Sequence, residues 1–453
     1  MKIRNLVLSL TLAGLGLNQA AAQGTYPSAP PAGRHVGDGV RSVGDSSSYA
    51  ASTPDVRPTE FRTTTPTGGY IDNETIVDMK MLAPTASHGT GANHYTQSAS
   101  NSSSLGWFST EALLWFGEKN RSPAMLTTAG TGVQAIAGAN GVNTLFGGND
   151  GSDRGLQPGY RVSWGMYLDD CEKVAVAGRV YGLFTTSSSE AANSDATTSI
   201  GLPVYNSATN NNDAFQVAFF DGGVNGRITG NASVESELQM FGSDSSLHLL
   251  LGRANDHRAD LLVGYTYNRL KDSLGVGYTS TNNFTGDAIP DGTIFQGSDL
   301  FESTNEFHGG HIGVLSSVTR SKLSLSTLAK ISFGNMHQTR RSSGSRTEEF
   351  NSVVTPTADG FYSPSSYGSS RDEFAFIPEL GIKLGYAVRD NLDFTVGYTF
   401  MFWSSVAMAG DQVGGAFDPA SVTAGGVITR PPASDVSDSF WMQGIDLGLN
   451  WRF

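Results

Sequence analysis

Histidines, acids and a lone cysteine are the groups with which this 453-residue chain could do chemistry. His308 and His311 are separated by two glycines. On a strand, a spacing of three puts two side chains on opposite faces, so the pair is not expected to share a metal ion. His311 is expected to point into the fold and His308 out of it. Asp150, Asp153, His337, Asp411 and Asp418 fall in or near loop-like stretches. An acid and a histidine within hydrogen-bond reach at one rim are how a hydrolase site would begin, but no compact nucleophile motif accompanies these. Asp169-Asp170 reads as a turn signal. A single cysteine, Cys171, excludes an intramolecular disulfide framework and any cysteine-rich metal site. The chain has no phosphate-cradling glycine loop, zincin helix or calcium loop. Neither catalysis nor a cofactor nor a metal is expected.

A more informative set of charges is spread along the chain. Glu111, Arg161, Lys330, Glu379, Lys383, Asp393, Asp446 and Arg452 each sit on the polar side of an alternating run, four acids against four bases. If the runs are strands of a narrow barrel, these side chains point into a lumen just wide enough for side chains to fill. A buried charge there needs a partner. The set then reads either as a salt-bridged plug or as the lining of a narrow polar channel.

The elements that must position these charges alternate with period two. In the last segment Trp441, Ile445, Leu447, Leu449, Trp451 and Phe453 share one face, while Met442, Gly444, Asp446, Gly448, Asn450 and Arg452 share the other. The run 391–403 sets Leu392, Phe394, Val396, Tyr398, Phe400 and Phe402 against Asp393, Thr395, Gly397 and Thr399. Such a pattern is a strand with one apolar and one polar face. Ten strands are expected, near 107–117, 158–168, 173–185, 230–250, 258–279, 300–318, 322–338, 372–388, 391–403 and 439–453. In 230–250 the alternation breaks around Gly242–Ser246, and a split there would raise the count to twelve. Pro378 marks a bulge or an interrupted pairing. Short connections alternate with long ones, the bacterial outer-membrane arrangement of short periplasmic turns and long external loops. Both chain ends then lie in the periplasm. A C-terminal aromatic residue, Phe453, on an alternating last strand is what outer-membrane assembly machinery engages.

Ahead of the strands, residues 1–22 read as a signal peptide: Lys2 and Arg4, an apolar run, then Ala20-Ala21-Ala22. Residues 23–104 hold seven prolines among Ser, Thr, Gly and Ala and read as a largely disordered linker. The barrel is expected over 105–453. A net charge of −13 argues against nucleic acid as a partner.

The barrel region resembles a family of predicted outer-membrane β-barrels known mainly from planctomycete genomes. The resemblance rests on Glu111-Ala112-Leu113-Leu114-Trp115, Tyr160-Arg161-Val162-Ser163-Trp164-Gly165, Asp260-Leu261-Leu262-Val263-Gly264-Tyr265 and Asn305-Glu306-Phe307-His308-Gly309-Gly310-His311-Ile312-Gly313. It is closest over Phe376-Ile377-Pro378-Glu379-Leu380 and Val396-Gly397-Tyr398-Thr399-Phe400-Met401-Phe402-Trp403-Ser404. Thr266 stands where the family often has arginine, and His311 where it often has glutamine. The resemblance implies an all-β transmembrane antiparallel barrel in the outer membrane and no particular activity. The expected partners are outer-membrane lipids and the assembly machinery. The expected role is structural or that of a narrow, porin-like pore. Adhesion through the external loops, to a partner the sequence does not name, is the alternative, and a rim hydrolase is less favoured.

Overall fold

The computed structural model describes residues 105–148, 151–220, 222, 227–284, 289–357, 359–363, 366–414, 416–417 and 436–453. The expected signal peptide, the linker, Asp150 and Asp418 lie outside the described residues. Along the chain run β1 (Gly106–Gly117), β2 (Leu126–Gly130), β3 (Val142–Phe146), β4 (Gln157–Tyr167), β5 (Val174–Ser194), β6 (Thr198–Asn206), β7 (Asn211–Phe220), β8 (Arg227–Arg253), β9 (His257–Asn282), β10 (Ile294–Arg320), β11 (Leu323–Phe350), β12 (Val353–Thr357), β13 (Tyr367–Arg389), β14 (Leu392–Val406) and β15 (Asp438–Arg452). Among the described residues, one 3₁₀ turn covers Gly410–Gln412.

Ten of these strands close an antiparallel ring in the order β1-β4-β5-β8-β9-β10-β11-β13-β14-β15. β15 returns to β1 from Arg452↔Trp107 to Met442↔Gly117. The seam is finished by Gly106 N–H donating to the Phe453 carbonyl (3.0 Å) and Phe453 N–H donating to that of Gly106 (3.1 Å). Closure leaves the ring no free edge. Outward side chains near the short-turn end are apolar and exposed, among them Phe108, Val263, Ile312, Ile382, Phe394 and Leu447. Such a belt suits contact with lipid tails. Tyr265, Tyr267, His308 and Phe241 cluster at its upper edge, with ring centroids 4.9 to 6.3 Å apart.

The wall is uneven. β1 has 12 residues and β4 has 11, whereas β8 to β11 have 26 to 28 each. Above the belt the hydropathy phase inverts. In the lower half of β8, Phe241, Leu247, Leu249 and Leu251 face out while Gly242, Asp244, Ser246 and His248 face in; in the upper half Glu235 and Glu237 face out while Val234, Leu238 and Met240 face in. A strand leaving the bilayer turns its outer face to water, so its apolar residues must move to the inner face.

This inversion decides between ten strands and the alternative of twelve, and it corrects where the strands end. The break near Gly242–Ser246 is a change of phase within one continuous strand, and the ring has ten strands, not twelve. The irregularities in the ladders of β8 fall elsewhere: on its partner β5 between Leu183 and Thr186, and on β8 itself between Leu250 and Gly252. Much of three of the five stretches expected as long external loops, 186–229, 280–299 and 339–371, is strand. At Pro378, β13 stays paired with Ile331 of β11, and the described ladder with β14 begins one residue later, at Glu379.

The tall wall would expose an apolar inner face above the short strands. A small sheet in the order β3-β2-β6-β7 covers it, joined to the wall where Phe219 and Phe220 pair with Ile228 and Arg227. Leu126, Leu202, Val204 and Val217 of that sheet pack with Val234, Leu274, Val276 and Phe301 of the wall. Burying such side chains stabilises by about 1.5–3 kcal/mol each.

Candidate functional site

Four inward acids and four inward bases meet in one layer across the lumen. On neighbouring strands, register sets Glu111 opposite Arg161 and Lys330 opposite Glu379. Arg161 bridges Glu111 (3.0 Å) and Asp446 (3.1 Å). Asp446 also accepts from the Trp115 indole at 2.8 Å and from the Thr399 hydroxyl. Lys383 pairs with Glu111. On the other side of the lumen Arg179 bridges Glu379 (2.7 Å) and Asp244 (2.7 Å), and Lys330 bridges the same two acids at 2.8 and 3.0 Å. Thr266 donates to Asp244 at 2.8 Å and contacts His311 Nδ1 at 2.8 Å. The layer is thus neutral, and each of its eight charges has an opposite partner.

Of the eight charges singled out in sequence, Glu111, Arg161, Lys330, Glu379, Lys383 and Asp446 belong to this layer. Asp393 and Arg452 do not: they pair with each other at 3.0 Å beside the short turns. The sequence reading missed Arg179 and Asp244. Arg179 sits in an apolar stretch of β5, and Asp244 lies where the phase of β8 changes. The outward row Leu247, Leu249 and Leu251 carried the signal that could have placed Asp244 inside.

An apolar layer lies next to the charges. Leu113, Trp115, Tyr181, Met240, Leu270, Phe307, Met336, Ile377, Met401, Trp403 and Met442 join in one buried cluster. It draws on nine of the ten ring strands, all but β4. Lumenal glycines make room for its larger rings. A Cβ on Gly242 would come within 2.2 Å of Tyr181, and one on Gly444 within 2.5 Å of Trp115. Next to the apolar layer, the segment after β14 runs inside the wall. The Asn305 side chain donates to the Ala407 carbonyl (2.9 Å) and accepts from its N–H (2.7 Å). Asp272 accepts from Ala409 N–H and from Arg154, both at 2.8 Å.

The residues considered for a rim hydrolase do not converge. His337 faces outward on β11 and bonds Asp372 at 3.0 Å, whereas Asp411 lies in the 3₁₀ turn of the inner segment. Burial raises the Asp411 carboxyl to about 6. Asp153 caps its own turn by accepting from Gly155 N–H. His308 faces outward and contacts Tyr265 at 2.6 Å. Among the described residues, no group of three or more His, Cys, Asp or Glu could hold a metal ion.

A closed ten-strand antiparallel ring, apolar where it faces out and charged where it faces in, is a transmembrane β-barrel. The chain belongs to the family described as "Putative beta barrel porin-7 (BBP7)", which matches residues 107–453, and it is an outer-membrane barrel. No curated protein matches it. Among solved structures it is similar to the outer membrane protease OmpT from Escherichia coli, with 11% identity, 78% of this chain and 98% of that chain covered and a TM-score of 0.39. Lower similarity, at 11% identity, links it to the Ralstonia pickettii toluene transporter TbuX (77% and 90% covered, TM-score 0.18). A Pseudomonas aeruginosa FadL homologue is 9% identical (77% and 90% covered, TM-score 0.19).

Proposed function

We propose that this barrel is closed: a non-conducting scaffold that anchors a folded β-module at the cell surface. The observation that supports this best is the neutral charge layer backed by an apolar layer from nine strands. A water-filled pore would leave its lining charges solvated and apart. Here they are paired and largely buried. The small sheet and the tall wall form the module, which takes the place of the open loops expected of an adhesin. The charged residues act as structural cross-braces, and binding by the module's outer surface is a role its position allows.

In this reading the short turns and both chain ends face the periplasm, and the module faces outward, following the loop asymmetry of bacterial barrels. Outer-membrane lipids cover the belt, and the assembly machinery engages β15 through Phe453. Solute flux into proteoliposomes tests closure. Liposomes carrying the refolded barrel should swell no faster in small sugars than empty ones, and fast swelling would overturn the proposal.

A further inference from the structure

On the short-turn side of the charge layer the lumen holds a blind cavity of about 310 Å³. That volume is at the lower end of the range for ligand pockets, about 300–1,000 Å³. Its edge is formed by Trp107, Ser324, Gly385, Asp393 and Asn450, close to the short turns. One wall is aromatic and apolar. The Trp107 indole lies on Gly165, where a Cβ would come within 2.1 Å of the ring. Its ring centroid is 5.3 Å from that of Tyr167 and 5.6 Å from that of His248. Leu262 and Leu315 also line the cavity. Elsewhere the lining is hydroxylic, with Ser324, Ser326 and Thr395, and charged, where the paired side chains of the charge layer and Asp393, itself paired with Arg452, face the cavity.

Lys383 is the cation of the charge layer best placed to meet a guest. Its side chain is 34% exposed, against 6% for Arg161 and for Lys330. Arg161, Arg179 and Lys330 each bridge two acids. Lys383 instead pairs with one acid, Glu111, so its ammonium has donors left for a guest carboxylate while it stays on Glu111. Glu111 and Trp107 lie on the same face of β1, four residues apart, which is roughly 13 Å along a strand.

We propose that this cavity binds a small amphipathic carboxylate, with its carboxylate on Lys383 Nζ and its apolar body along the Trp107 wall. The two features set the class. A cation would meet Lys383 unfavourably, and a purely apolar guest would leave a charge desolvated without a new partner. The inference rests on the closed-lumen reading, which makes the cavity a dead end and not a passage.

The test is calorimetric titration of the refolded barrel in detergent with 4-phenylbutyrate, and with 4-phenylbutyramide as the neutral control. Saturable binding of the acid alone is expected. It should weaken about tenfold or more in Lys383→Gln and in Trp107→Leu, the loss of one contact worth at least about 1.4 kcal/mol, and be retained in Lys383→Arg. Heat-modifiable gel mobility of each variant shows that it is folded. Absence of saturable binding at millimolar acid, equal binding of the amide, or folded Lys383→Gln and Trp107→Leu variants that bind as the parent does would each overturn the proposal. Conductance separates the two readings: a silent barrel that binds nothing refutes the site alone, and a conducting barrel refutes the closure.

Discussion

Removing Arg179 is the sharpest perturbation of the charge layer. Arg179→Met leaves Asp244 and Glu379 to share Lys330, so one buried carboxylate loses its counter-charge. The side chains of Asp244, Glu379 and Lys330 are only 7%, 2% and 6% exposed, so solvent screens the loss poorly. Breaking a buried pair from one side costs about 3–5 kcal/mol, which is about two to nearly four orders of magnitude in the folded-to-unfolded ratio. The double variant Arg179→Met/Glu379→Gln removes one charge of each sign and leaves the Lys330–Asp244 pair at 3.0 Å. It should therefore be more stable than Arg179→Met alone, the reverse of additivity. The assay is guanidinium unfolding in detergent, followed by tryptophan fluorescence and by gel mobility. Effects below about 1 kcal/mol for both singles, adding in the double as for exposed pairs, would refute the reasoning. The lumen would then be wet.

Three further outcomes are expected. Gly242→Ala would push a methyl into Tyr181 and Asn268, 2.2 and 2.4 Å away, and should lower stability by about 1–3 kcal/mol, read from the temperature at which heat-modifiable mobility is lost. Burial pushes the Asp411 carboxyl up to about 6, with Asp438 and Asp272 adding to the rise and the Met408 backbone hydrogen bond and Arg340 opposing it. The folded state therefore binds the proton more tightly than the unfolded chain, so this group's contribution to stability falls as pH rises from about 4 to 6; amide exchange of Ala407–Gln412 should be better protected at pH 5 than at pH 7.5, less so in Asp411→Asn, and no such difference would refute the assignment. Cys171 is exposed in the turn between β4 and β5; a membrane-impermeant maleimide should label it after the outer membrane is permeabilised and not in intact cells, whereas labelling of intact cells would reverse the proposed orientation.

The barrel was legible because the bilayer imposes one simple rule. β14 and β15 lie almost wholly within the belt, so Phe394 to Phe402 and Ile445 to Trp451 keep one phase from end to end. The tall strands obey that rule only in their lower halves. In β9, Val263, Tyr265 and Tyr267 face out below, while Leu270, Leu274 and Val276 face in above. A reading that assumes a single phase ends each such strand early and takes the rest for loop. The charged site was legible to the same extent. Residues on strongly alternating strands, such as Glu379 and Asp446, were placed on the polar face, and register did the pairing. Arg179 and Asp244 escaped because their strands carry weaker alternation. No local pattern foretold the small sheet over the tall wall, since its pairing joins residues far apart in the chain, such as Thr127 with Gly201.

Single-channel recording in planar bilayers tests closure of the lumen most directly. The refolded full chain, with gel mobility confirming the barrel, should insert and stay electrically silent at either polarity. Discrete, reproducible current steps from that same preparation would contradict it.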